Sequence, residues 1–253
     1  MSYFKSLFSL NNKISIVTGA SRGNGKSIAE ALLRAGSTVI LIDISKKELS
    51  KTVKEFQNEN LKAFEFFCDI TKKKERSELL KYIKKDFGKL DILVNNAGIV
   101  KRGLEYRIEN FGDVINTNLM GIMRMSHESL PKLALSHGNI INIASMWSFF
   151  GSPVSPGYTA SKTGVIGLTK SLANGWSKHH VRVNCIAPGW IETKLNKELR
   201  EDKEQYNKIK DRTPMERWGN PKEIAGAAVY LASNKASFTT GATIVVDGGY
   251  SIA

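Results

Sequence analysis

Seven short apolar stretches punctuate the chain: "ISIVTG", "STVILID", "KAFEFFCD", "LDILVNNAG", "GNIINIAS", "VRVNCIAPG" and "GATIVVDGG". They run apolar continuously rather than in alternation, the pattern of strands buried on both faces of a parallel sheet. Helical periodicity fills the intervals, as in "GKSIAEALLRAG", where Gly36 supplies the stop signal. No internal repeat, low-complexity tract or linker interrupts this alternation. It predicts one α/β domain over residues 1–253, a doubly wound Rossmann-type sheet of about seven parallel strands with helices on both faces and right-handed crossovers. One piece reads as irregular, "ETKLNKELREDKEQYNKIKDRTPMERWG" at residues 192–219. It follows the sixth strand, where a doubly wound protein places an insertion covering its substrate.

With 253 residues and 42% hydrophobic content, the chain can fill a complete core. A net charge of +13 invites a nucleic-acid reading. The lysines are scattered along helical segments such as "KKKERSELLKYIKK", the signature of solvated faces, so no nucleic-acid partner is expected. Any local excess of charge suits an anionic small-molecule substrate. No apolar run is long enough to cross a bilayer, and no membrane partner is expected. The start, "MSYFKSLFSLNNK", lacks a secretory core and cleavage site and reads as an extension leading into the first strand. Cys68 and Cys185, far apart in sequence, predict packed thiols in a reducing cytoplasm. The four histidines show no ligand spacing, so no metal is expected.

Chemistry first shows in "TGASRGNGKSIAEALL". Gly19, Gly23 and Gly25 fall between a strand and a helix. One glycine permits a sharp turn, and another lets a pyrophosphate approach without a Cβ in the way. The helix N-terminus then offers free N–H donors and a partial positive charge. A dinucleotide is the expected ligand, with Ser21, Arg22 and Asn24 inside the same turn. Asp43 ends the second strand, about twenty residues on, where a carboxylate accepts from ribose hydroxyls and repels a 2′-phosphate. That favours NAD over NADP. Arg22 argues the other way, and Asp43 or Ser45 equally suits capping of the next helix.

At this point the motifs join. "TGASRGNG", "NNAG" (95–98), "NTNLMG" (116–121), Ser145 before "YTASK" (158–162), and "PGWIET" (188–193) resemble, in order and over nearly the whole chain, the short-chain dehydrogenase/reductase family. The resemblance implies a nicotinamide-dependent oxidoreductase, commonly a homotetramer. It makes Asn118, Ser145, Tyr158 and Lys162 the catalytic set. Asn118 matches the family asparagine that holds a water in a proton relay to the lysine, and Lys162 the lysine that bonds the nicotinamide ribose.

Chemical sense supports this set. Tyr158 and Lys162, at i and i+4, share a helix face. Tyrosine, at a pKa of about 10, is a poor base near neutrality. A nearby ammonium and a positive nicotinamide ring favour the phenolate. Ser145, at the carboxyl edge of "NIINIAS", is placed to hold the substrate oxygen for proton transfer. The resemblance adds Asp69 and Ile70 near the adenine, although Asp69 equally fits a helix cap. It adds Asn95, Ala97 and Gly98 where the cofactor lies close to the backbone, and Pro188, Gly189, Ile191 and Thr193 at the carboxamide and pyrophosphate. Asn24 departs from the family pattern, which has an aliphatic residue there. The segment from "NNAG" to Asn118 also looks slightly short.

"NIINIASMWSFFG", "LANGWSKH" and "RTPMERWG" are similar to the sugar-acid dehydrogenases of the family. A sugar acid needs a cation for its carboxylate. Lys101 and Arg102, just beyond "NNAGIV", are the candidates, with two solvated loop cations as the alternative. Trp147, Phe149 and Trp190 are candidates for a pocket wall, or for simple buried aromatics. Sugar-acid or polyol oxidoreduction is therefore the first expectation. A 3-oxoacyl-thioester reductase stands second, and a cofactor-binding scaffold without turnover is the alternative of another class.

Overall fold

A computed structural model describes residues 7–253. Its strands are β1 (Ile14–Thr18), β2 (Thr38–Asp43), β3 (Ala63–Phe67), β4 (Ile92–Asn95), β5 (Asn139–Ile143), β6 (Arg182–Pro188) and β7 (Thr243–Val246). The helices are α1 (Gly23–Arg34), α2 (Lys46–Asn58), α3 (Lys73–Asp86), α4 (Ile108–Ile115), α5 (Gly121–Leu135), α6 (Pro156–Trp176), α7 (Lys197–Glu201), α8 (Lys203–Arg212) and α9 (Pro221–Ala232). Every strand pair is parallel, in the order β3-β2-β1-β4-β5-β6-β7.

Successive strand residues point to opposite faces, and both faces are covered. Val17, Leu41 and Ile141 pack with Ile28 and Leu32 of α1, Leu49 and Phe56 of α2, and Ile224 and Leu231 of α9. Their neighbours Ile16, Ile40 and Ile140 pack on the other side with Leu79 of α3, Met125 and Leu133 of α5 and Leu172 of α6. This double burial is why the central strands are apolar at every position. The edges depart from the expectation of uniform burial. β3 pairs only with β2, leaving Phe64 and Phe67 at 39% and 41% exposure, and Val245 of β7 is similarly exposed.

Residues 1–6 of the expected N-terminal extension lie outside the described residues. The rest leads into β1, with Leu10 buried and its N–H bonded to Ala35 O at 2.7 Å. Residues 192–219, expected as irregular, contain α7 and α8. Asp202 starts α8 by accepting from Glu204 N and Gln205 N. Leu199, Tyr206 and Ile209 turn inward into an aromatic cluster with Trp218, Trp190 and Tyr250. The lysine-rich sequence masks those few apolar positions. Among the described residues no helix is long and apolar enough to cross a membrane.

Candidate active site

Connections leave β1 and β4, adjacent in the sheet, toward opposite sides, so their carboxyl ends open a crevice. Gly19 leaves β1 with φ of +64°, and a Cβ there would stand 2.9 Å from Ala97 Cα. A Cβ on Gly25 would fall 2.2 Å from Gly19 O, so only glycine lets the first turn of α1 press against the loop. Thr18 and Asn96 stitch the two loops together, and sequence reasoning passed over both. The Thr18 hydroxyl accepts from Asn96 N and Ala97 N at 3.0 Å, and Asn96 Nδ2 donates to Thr18 O and Gly19 O. Arg22 caps α1 without a side-chain hydrogen bond, and no acidic residue occupies the first turn. The helix start therefore keeps its N–H groups and positive dipole end for an anion. Thr193 Cγ2 lies 3.3 Å from where Gly23 would carry a Cβ, so the Pro188–Thr193 segment closes over the turn. A dinucleotide pyrophosphate fits this cradle.

The acidic candidates differ from one another. Asp43 is folded back onto the turn: Oδ2 accepts from Ser21 Oγ at 2.7 Å and Ser21 N at 3.2 Å, and Oδ1 accepts from Ser45 N at 3.0 Å. It thus fixes the loop while standing at the end of β2. Asp69 closes a local turn on Thr71 N and Oγ1, and does not cap α3. Ile70 is buried, its carbonyl accepting from Arg76 Nη1 at 2.8 Å. Asn95, expected to offer backbone to the cofactor, turns its side chain away from the crevice. That side chain is buried under the sheet end, donating to Ser126 Oγ and Asn142 Oδ1, so it ties β4 to α5 and β5. Asn24 does line the cavity described below, and its Oδ1 has no partner among the described residues.

The catalytic candidates converge from three elements. A π-helical turn over Asn116–Met120, between α4 and α5, rotates Asn118 fully inward. Its Oδ1 accepts from Ile99 N at 2.8 Å, and its Nδ2 donates to Ile99 O at 2.9 Å and to Ser161 Oγ. A Cβ on Gly98 would stand 3.2 Å from Asn118 Oδ1 and 3.7 Å from Lys162 Nζ, which locates all three at one point. Lys162, one turn beyond Tyr158 on α6, is 3% exposed and donates to Ile143 O at 2.6 Å. Burial pushes its amine down to about 8. Ser145 follows β5 and accepts from Trp147 N, which fixes its hydroxyl beside the phenol.

Burial raises the Tyr158 phenol above the usual tyrosine range. The Ser145 hydroxyl and the Arg102 charge pull it back down, and Glu105 pushes it up. Arg102 is thus a second cation near the phenol, beside the Lys162 to which the sequence pointed. The Lys162 ammonium is turned to a carbonyl, 5.6 Å from the centre of the Tyr158 ring.

A cavity of about 450 Å³ opens beyond Tyr158 and Ser145. Trp147, Trp190, Ile209 and Tyr250 give it an apolar wall, with Trp147 and Trp190 edge to face at 6.1 Å. Phe149 points outward at 48% exposure, and Phe150 packs against Trp147 in its place. Among the described residues Arg102, Lys208 and Arg212 line the cavity, and no carboxylate does. Arg102 also joins the wall to the insertion, donating to Asn196 Oδ1 at 2.9 Å. Arg212 lies over the Tyr250 ring, 4.4 Å from its centre. Lys208 carried no motif, and Arg212, although it opens "RTPMERWG", was not singled out as a site residue. Lys101 is corrected. Its ammonium pairs with Asp113 at 2.6 Å and Asn110 at 2.9 Å on α4, away from the cavity. Adjacent loop residues point in different directions, and only the second cation faces inward.

A family model described as enoyl-(acyl carrier protein) reductase matches residues 19–251. Among curated proteins, the chain is 40% identical to 2-dehydro-3-deoxy-D-gluconate 5-dehydrogenase of Escherichia coli K12, over 97% of this chain and 98% of that protein. It is 36% identical to a 3-oxoacyl-(acyl-carrier-protein) reductase of Thermotoga maritima, over 95% and 98% of the two chains. Among solved structures, a gluconate 5-dehydrogenase from Burkholderia cenocepacia J2315, in complex with NADP and tartrate, superposes with a TM-score of 0.94. It shares 31% identity, covering 99% of this chain and 100% of that one.

Proposed function

The chain belongs to the short-chain dehydrogenase/reductase family, and from that premise we propose that it interconverts a secondary alcohol and ketone on a sugar acid. The observation that carries this reading is the cavity beside Tyr158, lined among the described residues by three cations and no carboxylate. A substrate carboxylate offers those cations their missing counter-charge, and guanidinium suits it best. Arg102 is the primary anchor, because it also reaches the phenol electrostatically. The aromatic wall covers the carbon chain.

Tyr158 is the general acid/base in this reading. It takes the hydroxyl proton in oxidation and returns it in reduction. Ser145 holds the substrate oxygen within reach of the phenol, and lowers the phenol by hydrogen bonding to it. Asn118, clamped to the Ile99 backbone, lies beside Lys162 where a proton can pass inward. The glycine cradle would hold a nicotinamide dinucleotide, which supplies the hydride exchange. Asp43 supports NAD over NADP, because Ser21 and Ser45 pin its negative charge at the end of β2. Arg22, exposed in the same turn, is the residue that would favour NADP. Two buried free thiols suit a reducing cytoplasm, and a homotetramer is the expected assembly.

Nicotinamide absorbance, followed with sugar acids, neutral polyols and a 3-oxoacyl thioester, tests the assignment. The highest kcat/KM belongs to a sugar acid. Faster turnover of the thioester would replace this reading with the reductase one, and no turnover of any compound would favour a scaffold.

A further inference from the structure

The short segment between "NNAG" and Asn118 contains a carboxylate that no motif marks. Glu105 is 1% exposed, yet it sits on a loop whose neighbours Leu104 and Tyr106 face solvent. Its two oxygens accept from two backbone amides: Oε1 from Lys101 N at 2.8 Å and Oε2 from Tyr158 N at 2.7 Å. The second amide belongs to the first turn of α6, a helix whose own N-cap, Ser155, makes no side-chain capping bond. Pro156 carries no N–H, so Tyr158 N is one of the few donors at this helix start that need an outside partner. A carboxylate there also meets the positive end of the helix dipole. Room for it comes from Gly157, where a Cβ would stand 3.2 Å from Glu105 Oε2 and 3.2 Å from Phe111 Cδ2.

Both amides matter to the site. Lys101 N adjoins Arg102, the cation that lines the cavity, and Tyr158 N belongs to the acid/base candidate itself. One buried side chain thus ties the substrate-anchoring loop to the catalytic turn. We propose that Glu105 is a positioning residue that clamps Tyr158 and Arg102 into one unit and sets the charge around the phenol. The charged groups facing that unit are Arg102 on the same loop, Lys162 on α6 and Glu198 on α7. The Lys101 ammonium is not among them, being turned toward Asp113. Glu105 opposes ionisation of the phenol, while Arg102 and Ser145 favour it.

Glu105→Gln tests the clamp. An amide accepts from only one of the two N–H groups and carries no charge. The Tyr158 contribution is isolated by near-ultraviolet titration of each protein against its Tyr158→Phe counterpart, a readout independent of the substrate's identity. Two shifts are expected: the phenol ionises at lower pH, and kcat falls on the order of tenfold with dinucleotide affinity unchanged. Wild-type kcat, or a lowered kcat with an unmoved Tyr158 titration, would overturn the proposal, the latter by reducing Glu105 to a structural cap. Should that variant not fold, Glu105→Asp carries the test. It keeps the charge but is one methylene too short to span both amides. A lowered kcat together with a raised KM for the sugar acid supports the clamp, because the Tyr158 and Arg102 ends loosen together; wild-type kcat, or a lowered kcat with KM unchanged, overturns it.

Discussion

At the β1–β4 crevice, backbone approaches backbone. Gly19 nearly touches Ala97, Gly25 presses on Gly19 O, and the short side chains of Thr18 and Asn96 stitch the loops. In the cavity beyond Tyr158 the wall is made of long side chains drawn from distant segments: Arg102, Trp147, Trp190, Arg212 and Tyr250. The first region would hold a ligand common to many proteins, by shape and by unpaired N–H groups. The second would select by charge and bulk. Tyr158 lies on the border and belongs to both, since the cofactor crevice fixes its neighbours and the cavity opens beside its phenol.

Breaking that border has the largest expected effect. Tyr158→Phe removes the proposed acid/base group at the junction while leaving the glycine cradle intact. Turnover should fall by about 10³-fold or more, with nucleotide binding by fluorescence quenching within about twofold of wild type. A retained turnover would place the chemistry elsewhere in the cavity.

Lys162→Met separates activity from stability. The native amine titrates at about 8, below its ordinary value, so the unfolded chain binds more protons above that pH. Native stability from this residue therefore rises with pH from about 8 toward the usual lysine range, and below about 8 the buried ammonium costs stability. Methionine lifts that cost. The variant should be more stable than wild type at neutral pH, by on the order of 1 kcal/mol. Its advantage should shrink in urea melts as the buffer becomes alkaline. Activity should fall about 10²-fold or more, because the cation beside Asn118 is gone.

Asp43→Ala sharpens the contrast from the cofactor side and has the smallest effect. It removes the charge at the end of β2 and two hydrogen bonds to Ser21. The NAD-to-NADP ratio of kcat/KM should drop about tenfold, with the preference among substrates unchanged. An unaltered ratio would remove Asp43 from cofactor selection and leave it a structural brace for the loop.

The same contrast explains what could be read from the chain. The crevice was legible because its residues are contiguous and are demanded by backbone geometry: a strand, Gly19 to Gly25, then a helix. Tyr158 and Lys162 were legible because one helical turn fixes their relation. The direction of a loop side chain is decided by packing, so neighbours Lys101 and Arg102 could not be told apart until Asp113 claimed one of them. Phe149 and Phe150 divided in the same way. Glu105 was invisible because its partners are two backbone amides, which leave no pattern in sequence. The exposed faces of β3 were missed because strand order, rather than composition, makes an edge.

The most direct test of the account compares a sugar acid with its neutral alditol in wild type and in Arg102→Ala. The cation-lined cavity predicts that wild type prefers the acid in kcat/KM, and that the substitution erodes this preference by about 10–100-fold through KM, with the neutral alcohol little changed. An equal loss for both compounds, or an acid preference that survives without Arg102, would contradict it.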